Sequence, residues 1–336
     1  MESQEQSQKF SVEGASFLIT GGTGSFGLTM TNALLKNGAR SVLIFSRDES
    51  KQFAIRNAIQ DPRLTFQLGD IREIDSVQYA LRDVEYVFHA AALKHVPASE
   101  DNPMEYVKTN VFGSHSLLKA LANCRVKSAV FLSTDKAVYP VNAMGMSKAL
   151  MEKLVRSNSY FGSVRSCITR YGNVIGSRGS VIPYFIESIK KDLPVRVTDW
   201  TMTRFVMSLE ESVDLVLYAM DKGKHGELFV RKAPSARLDI ILEAVEKLLG
   251  KKARMLDVTG VRPGEKIHET LLNSEERTYA VENDYYFKVP SIANQVANGI
   301  PKARVLDEFR SDTSKLLNSE ELASILEKNA EIRALL

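Results

Sequence analysis

The chain has 336 residues, 44% of them apolar and 25% charged, with a net charge of +3. This is the composition of an ordinary globular protein large enough for one large or two closely joined domains. The charge leaves no basic face for nucleic acid, and no apolar run approaches the ~20 residues needed to span a bilayer, so the expected partners are small molecules.

Cys124 and Cys167 form no C-x-x-C pair and show no metal-ligand spacing, which predicts buried structural thiols in a reducing compartment and no metal site. The first thirteen residues, MESQEQSQKFSVE, are polar and lack an apolar signal core. They read as a disordered leader on a cytoplasmic protein.

From residue 16 the pattern becomes regular. SFLIT (16–20) is a short apolar strand that runs into Gly21, Gly24 and Gly27, spaced G-x-x-G-x-x-G, and Met30, Leu34 and Leu35 then recur at helical spacing up to Asn37-Gly38. Strand, glycine turn and helix in this order let the backbone approach a pyrophosphate seated on the helix N-terminus. The second strand, SVLIFSRD, ends at Ser46-Arg47-Asp48, where a dinucleotide fold reads the adenosine ribose. An acidic tip would accept from a free 2′-hydroxyl, whereas Ser46 and Arg47 offer donors to a 2′-phosphate, so NADP is expected over NAD. A solvated surface charge is the alternative for Arg47, and Asp48 is expected to cap the next helix.

RLTFQLGD, EYVFHAAALKH and KSAVFLSTDK supply a third, fourth and fifth strand with helical stretches between them, which predicts a parallel, doubly wound α/β sheet. Ligands in such sheets lie beyond the carboxyl ends of the strands, where Asp70 would approach adenine and Ala90-Ala91-Ala92-Leu93-Lys94 would run along the cofactor. His89 and His95 read as a strand-end packing residue and a loop residue. The fifth strand delivers Thr134, Asp135 and Lys136 to the same edge, and the helix after Pro140-Val141-Asn142 carries Met144 and Lys148 one turn apart on one face.

After SCITRYGNV the alternation gives way to the loops SRGSVIP, DLPVRVTDWTMTRF and RPGEKIHE, which predict a smaller α/β substrate-binding domain. The expected boundaries are 14–173 and 203–232 for the dinucleotide domain, and 174–202 and 233–336 for the second. SLEESVDLVLYAMDKG reads as an amphipathic helix packing back on the first domain, and NSEELASILEK starts with Asn318 and Glu321 in capping-box spacing. His268 reads as structural, since a lone histidine three residues after a glutamate is no metal site.

The stretches TGGTGSFG, FSRDE, HAAALKHVP, NPMEYVKTNVFG, STDKAVYPVNAMGMSK, TRYGNVIGSRGSVIP, MTRFVMS and RPGEKIHE cover most of the chain from Thr20 to Glu269. Together they resemble the inverting UDP-N-acetylglucosamine 4,6-dehydratases, extended short-chain dehydrogenases of Rossmann type. In that family Met144 stands where most members carry an acid/base tyrosine, and one subgroup shares the methionine. The resemblance implies that Thr134 bonds the sugar 4-oxygen, that Lys148 holds the nicotinamide ribose, and that Asp135 and Lys136 act on C5 and C6. It adds Thr23, Ser25, Phe26, Ile71, Thr109, Tyr171 and Asn173 to the cofactor site. It assigns Asn173, Arg204 and Arg262 to the UDP portion and Ser180, Val181 and Pro183 to the uridine, with Lys94, His95, Met207 and Glu265 completing the substrate site. It further implies a homo-oligomer, dimer or hexamer, and a role in surface polysaccharide synthesis.

Chemically, oxidation at C4 acidifies the C5 hydrogen, and an acid must then protonate the departing 6-hydroxyl. Lys136 is a base only when neutral, and the charge of Lys148 together with partial burial is expected to lower its pKa. Asp135 is the candidate acid. A thioether has no proton to give, so the base for the 4-hydroxyl remains open among Asp135, Lys136 and a water on Thr134, with Tyr139 separated from the Lys148 face by Pro140. Two alternatives stand beside the dehydratase: a UDP-hexose 4-epimerase and a non-catalytic NADP sensor.

Overall fold

The computed structural model describes residues 10–157, 164–177, 179–298 and 306–336. The first half realises the expected alternation: β1 (Ser16–Thr20), α1 (Ser25–Lys36), β2 (Ser41–Ser46), α2 (Glu49–Ala58), β3 (Leu64–Leu68), α3 (Ile74–Ala80) and β4 (Tyr86–His89). Then come α4 (Val96–Asp101), α5 (Pro103–Tyr106), a π-helical stretch Val107–Phe112, α6 (Gly113–Leu121), β5 (Ser128–Thr134), α7 (Ala143–Arg156) and β6 (Arg165–Tyr171). All five side chains of β1 are buried, as a central parallel strand covered by helices on both faces requires.

β1 pairs in parallel with β2 on one side and β4 on the other, so the chain reverses its direction of growth across the sheet between β1 and β4. A crevice at the carboxyl ends of those strands is the expected ligand site of a doubly wound sheet. Its walls touch. Gly21 has φ +68°, and a Cβ there would lie 2.7 Å from Ala91 Cα, so only glycine lets the first turn lie against the end of β4.

The second half is β7 (Asn173–Val174), α8 (Val181–Lys190), β8 (Val195–Val197), β9 (Thr203–Met207), α9 (Leu209–Lys222), β10 (Leu228–Arg231), β11 (Ser235–Arg237) and α10 (Leu238–Leu249). It continues with β12 (Leu256–Val258), β13 (Thr270–Leu272), α11 (Ser274–Tyr279), β14 (Val281–Glu282) and β15 (Tyr286–Val289). Among the described residues the large sheet has nine strands in the order β14-β15-β10-β6-β5-β4-β1-β2-β3, with β15 antiparallel to both of its neighbours. Residues 281–289 join the large sheet, while β9 pairs with β7 and β11 in a small sheet. The cause is local: β9 follows the long excursion through α8, whose Phe185, Ile186 and Ile189 bury against Val206, Ile241 and Leu326 in a separate core.

The amphipathic helix expected over 208–223 is α9, started by the reciprocal Ser208–Glu211 capping box and packed through Val213, Val216 and Met220 on the first core. Asn318 forms the expected cap over the helix Ser319–Lys328, and Asp48 caps α2 through Lys51 N–H. The expected leader ends earlier than residue 13. Phe10 packs edge-on against Tyr86 at 5.1 Å between centroids and Val12 covers the same core, so apolar burial orders this stretch; residues 1–9 lie outside the described residues.

A methyl group added at Gly27 would sit 2.4 Å from Gly22 Cα, inside the turn that the ligand crevice depends on. Gly27→Ala is expected to lose about 1–3 kcal/mol in denaturant unfolding through overpacking. Gly250→Ala, at φ +59° with nothing within 4 Å, is expected to lose about 1–2 kcal/mol from backbone strain alone and to keep its ligand affinity. Equal ligand binding by both variants would contradict the assignment of the turn.

Candidate active site

At the head of the crevice Gly24 caps α1 with extended backbone, and no side chain caps that first turn. The helix therefore presents backbone N–H groups and the positive end of its dipole beside Thr23, Ser25, Phe26 and Gly27, as a pyrophosphate site requires. At the tip of β2, Ser46 is buried and its Oγ accepts from Gln52 Nε2 at 3.0 Å, so the hydroxyl is already engaged. Arg47 is half-exposed and its Nη1 lies 3.4 Å from Asp70 Oδ2. Arg72 grips the same carboxylate through Nε at 2.9 Å and Nη2 at 2.6 Å. Burial pushes the Asp70 pKa up, but hydrogen bonds from Arg72 and the charges of both arginines outweigh it and hold the carboxyl below its usual range. Ile71 beside it is buried against Gly113.

The Ala90–Lys94 segment is tied down from the π-helical stretch. Asn110 accepts from Leu93 N–H at 2.8 Å, and its amide donates to Leu93 O at 3.0 Å and to Ser147 Oγ at 2.9 Å. A helix with an extra residue per turn is a common device for aiming side chains at a functional site. Asn110 lay inside a stretch singled out from sequence but was not itself expected in the site. Its neighbour Thr109 has a buried Oγ1 with no partner, as does Asn173 Oδ1. His89, expected to be a packing residue, is buried between Thr20 Oγ1 and Ser114 Oγ.

The chemistry gathers at the end of β5. Thr134 Oγ1 donates to Asp135 Oδ1 at 2.9 Å, and Lys136 Nζ lies 3.0 Å from the same oxygen. Glu269, at the entry to β13, brings Oε1 within 3.3 Å of Lys136 Nζ. Asp135 is fully buried and Glu269 is 2% exposed; Asp135 Oδ2 and Glu269 Oε2 are buried without partners. A Cβ at Gly172 would lie 3.1 Å from Asp135 Oδ2, so the Tyr171-Gly172-Asn173 turn passes directly beside the acid. The phenol of Tyr171 is held well above its usual pKa by burial.

Burial pulls the Lys136 pKa down, but the charges of Asp135 and Glu269 more than restore it, and the amine is held above its ordinary value. This reverses the sequence expectation: the lysine is an ammonium in the free protein, and Lys148 is not the group that governs it. Asp135 is pushed up, first by burial and then by Glu269, against the pull of Lys136. Glu269 goes the other way, because Lys136, Arg204 and Lys266 together overcome its burial. Lys136 is thus held as a cation and Glu269 as an anion, while Asp135 holds its proton more tightly than an ordinary carboxyl.

Met144 sits in the first turn of α7, 3% exposed, where the helix is capped by Asn142 accepting from Gly145 N–H. Lys148, one turn on, donates through Nζ to Leu132 O at 2.6 Å and contacts Met151 Sδ at 3.1 Å. Burial lowers its pKa to about 8 against the opposing charge of Glu152. Tyr139 adopts φ +47°, and its hydroxyl donates to Glu308 at 2.8 Å; that bond, added to burial, raises its pKa and makes it a poor base.

Of the expected substrate residues, His95 caps α4 and lies 3.4 Å through Cε1 from a Cβ position at Gly179, so it and the loop leading to Ser180, Val181 and Pro183 share one wall. Lys94 is exposed, but the protein around its amine strips away some solvent and lowers its pKa. Arg204 is anchored by Nη1 to Thr203 O and Ile267 O at 2.8 and 3.0 Å, and its charge bears on Lys136 and Glu269. Arg262 is more than half exposed, 3.9 Å from Glu265, and stands outside the ion-paired cluster. Met207 is 1% exposed and lies at the end of β9. His268 is structural as expected, bonded to Thr203 Oγ1.

Residues 17–291 match the family described as polysaccharide biosynthesis protein. The chain belongs to this family. It is an enzyme family of nucleotide-sugar dehydratases and epimerases. The chain is 45% identical over 322 residues to a UDP-glucose 4-epimerase of Rickettsia felis, covering 92% of this chain and 94% of that one, with a Rickettsia akari counterpart at the same identity. Among solved structures, Pen from Bacillus thuringiensis superposes with a TM-score of 0.88 at 35% identity, covering 97% of this chain and 100% of that one. A dTDP-glucose 4,6-dehydratase of Streptomyces venezuelae with NAD bound shares the fold, with a TM-score of 0.68 at 23% identity over 75% of this chain and 86% of that one. Among the described residues no helix is long and apolar enough to cross a membrane, and no group of three or more His, Cys, Asp or Glu side chains is placed to hold a metal.

Lys148 titrates at about 8 in the folded chain and at its ordinary 10.5 when unfolded. Below about 8 both states hold the proton; between the two values only the unfolded state does, so stability must rise with pH across that window. The melting temperature of the ligand-free protein is expected to gain on that of Lys148→Met between pH 7 and pH 9.5. A difference that stays flat over the range would show that Lys148 is not desolvated.

Proposed function

We propose that this protein is an NADP-dependent UDP-N-acetylglucosamine 4,6-dehydratase that inverts C5, giving a UDP-linked 2-acetamido-2,6-dideoxy-L-hexos-4-ulose for surface polysaccharide or glycan synthesis. The observation that carries this reading is the buried Asp135–Lys136 pair at the end of β5, facing a position 144 that has no proton to exchange. An acid/base pair of this kind serves a reaction at C5 and C6. A reaction confined to the 4-hydroxyl would leave it without work.

The residues present fit a dinucleotide: the cradle at Gly21 that a Cβ would fill, the helix start without a side-chain cap, and the orphaned Thr109 and Asn173 oxygens all favour it. When bound, it takes a hydride from C4 and returns it to C6. Arg47 at the tip of β2 and Arg72 just beyond β3, which both pair with Asp70, support a 2′-phosphate and hence NADP. Thr134 holds the 4-oxygen. Asp135 donates a proton to the departing 6-hydroxyl, Lys136 takes the hydrogen from C5 after its ammonium proton has passed to solvent, and a water on Thr134 takes the proton of the 4-hydroxyl. Lys148 holds the nicotinamide ribose. Half-exposed Met104, Phe112, Met146 and Leu150 on α5 to α7 support association into a dimer or hexamer.

A 4-epimerase is the second reading, favoured by the name carried by the Rickettsia relatives. Both readings need a base at the 4-hydroxyl, which neither Met144 nor Tyr139, bonded to Glu308, supplies, but the epimerase has no use for the Asp135–Lys136 pair.

Incubation with UDP-N-acetylglucosamine in deuterium oxide, followed by NMR, separates the two. The expected product is a 6-deoxy-4-keto sugar of L configuration with deuterium at C5, and Lys136→Ala is expected to lose at least 100-fold in turnover, on the order of what a general base contributes, while still binding the nucleotide sugar. Met144→Ala should stay active. Recovery of UDP-N-acetylgalactosamine without label at C5 would sink the dehydratase. For the cofactor, Arg47→Ala should weaken NADP far more than NAD; equal wild-type affinity for both would remove the NADP assignment.

A further inference from the structure

Glu269 lies far from Asp135 and Lys136 in sequence, yet three features place it in their chemistry. Its Oε1 is 3.3 Å from Lys136 Nζ. It is 2% exposed, and its Oε2 is buried with no partner, as is Asp135 Oδ2. Its backbone is fixed from both sides: Glu269 N–H donates to Ser311 Oγ at 2.9 Å, and Ser311 N–H donates to Glu269 O at 2.9 Å. A carboxylate taken out of water and held this firmly costs several kcal/mol unless a cation meets it. A purely structural carboxylate would also not be expected to leave one oxygen unbonded.

We propose that Glu269 is a positioning residue for Lys136, holding its amine beside Thr134 and Asp135 through a buried ion pair and fixing the charge it carries when the sugar arrives. This rests on the role given to Lys136 above. The charged groups facing the amine are Asp135 on its own turn, Glu269 at the entry to β13 and Arg204 on β9. Lys266, on the loop before β13, faces Glu269 and Asp135 as well as Lys136. Lys148, on the packed helix α7, turns its Nζ to Leu132 O instead. Glu269 thus counters three nearby cations, and without it Asp135 is, among the described residues, the one carboxyl left beside the Lys136 amine, at 3.0 Å. Removing the carboxylate must favour the neutral amine, so the lysine sheds its proton at lower pH.

The test needs no turnover. The pH dependence of acetylation of Lys136 by acetic anhydride, quantified by mass spectrometry on the full-length ligand-free protein, reads the amine directly. Glu269→Gln, nearly isosteric, is expected to move the labelling midpoint down by about one pH unit or more. If that variant fails to accumulate as folded protein, Glu269→Asp, which withdraws the carboxylate by one methylene, is expected to move the midpoint in the same direction by less. An unchanged midpoint in the variant measured would overturn the proposal. Absence of dehydration in the wild type would remove the reaction assigned above without affecting this measurement, so the two failures are distinguishable.

Discussion

The structure turns on an ammonium buried between two carboxylates. Taking Asp135, Lys136 and Glu269 out of water together is unfavourable unless their charges balance, and their proximity shifts all three: Asp135 holds its proton more tightly than usual, Glu269 less tightly, and the amine stays charged. Reactivity follows from that arrangement. A neutral carboxylic acid at neutral pH can protonate a leaving hydroxyl, and an amine with an anionic neighbour is held in a fixed place and a fixed charge state until substrate changes its surroundings.

The scaffold serves to bring these three groups together from distant parts of the chain. The parallel sheet carries Asp135 and Lys136 just past the end of β5 and sets the Gly172 turn against the acid. Asn142, at the start of α7, donates through its amide to Gly264 O at 2.8 Å and so ties that helix to the loop that leads to Glu269. Behind the site, Arg170 joins Glu152 and Glu276 in a buried ion-pair network, with Nη1 donating to Leu271 O at 2.7 Å. That bond links β6 to β13, the strand Glu269 leads into. Domain contact and catalytic geometry are therefore held by the same bonds.

Much of this was legible in the sequence, where local order carried the information. The glycine turn, the strand tips at Ser46, His89 and Thr134, the cap at Asp48 and the pairing of Met144 with Lys148 on one helix all follow from short-range spacing. What escaped the sequence depends on contacts between distant segments. Glu269 ends a recognisable stretch, but nothing in its neighbourhood reveals that it meets Lys136. The charge of Lys136 was expected to be set by Lys148, since both approach the same site; in the fold Lys148 turns to Leu132 O and two carboxylates decide the matter. The place of β9 in the small sheet and of β14 and β15 in the large one depends on pairings that alternation along the chain does not encode. Phe10 and Val12 were lost in a polar stretch because two apolar residues gain their meaning only from the surface they cover.

On the proposed dehydratase reading, this cluster works at C5 and C6 while the hydride removed from C4 is carried to C6 of the same sugar. UDP-N-acetylglucosamine deuterated at C4, incubated in ordinary water, tests it most directly. The account predicts that the deuterium appears in the C6 methyl group of the product. Deuterium retained at C4 in a sugar of inverted C4 configuration would contradict it.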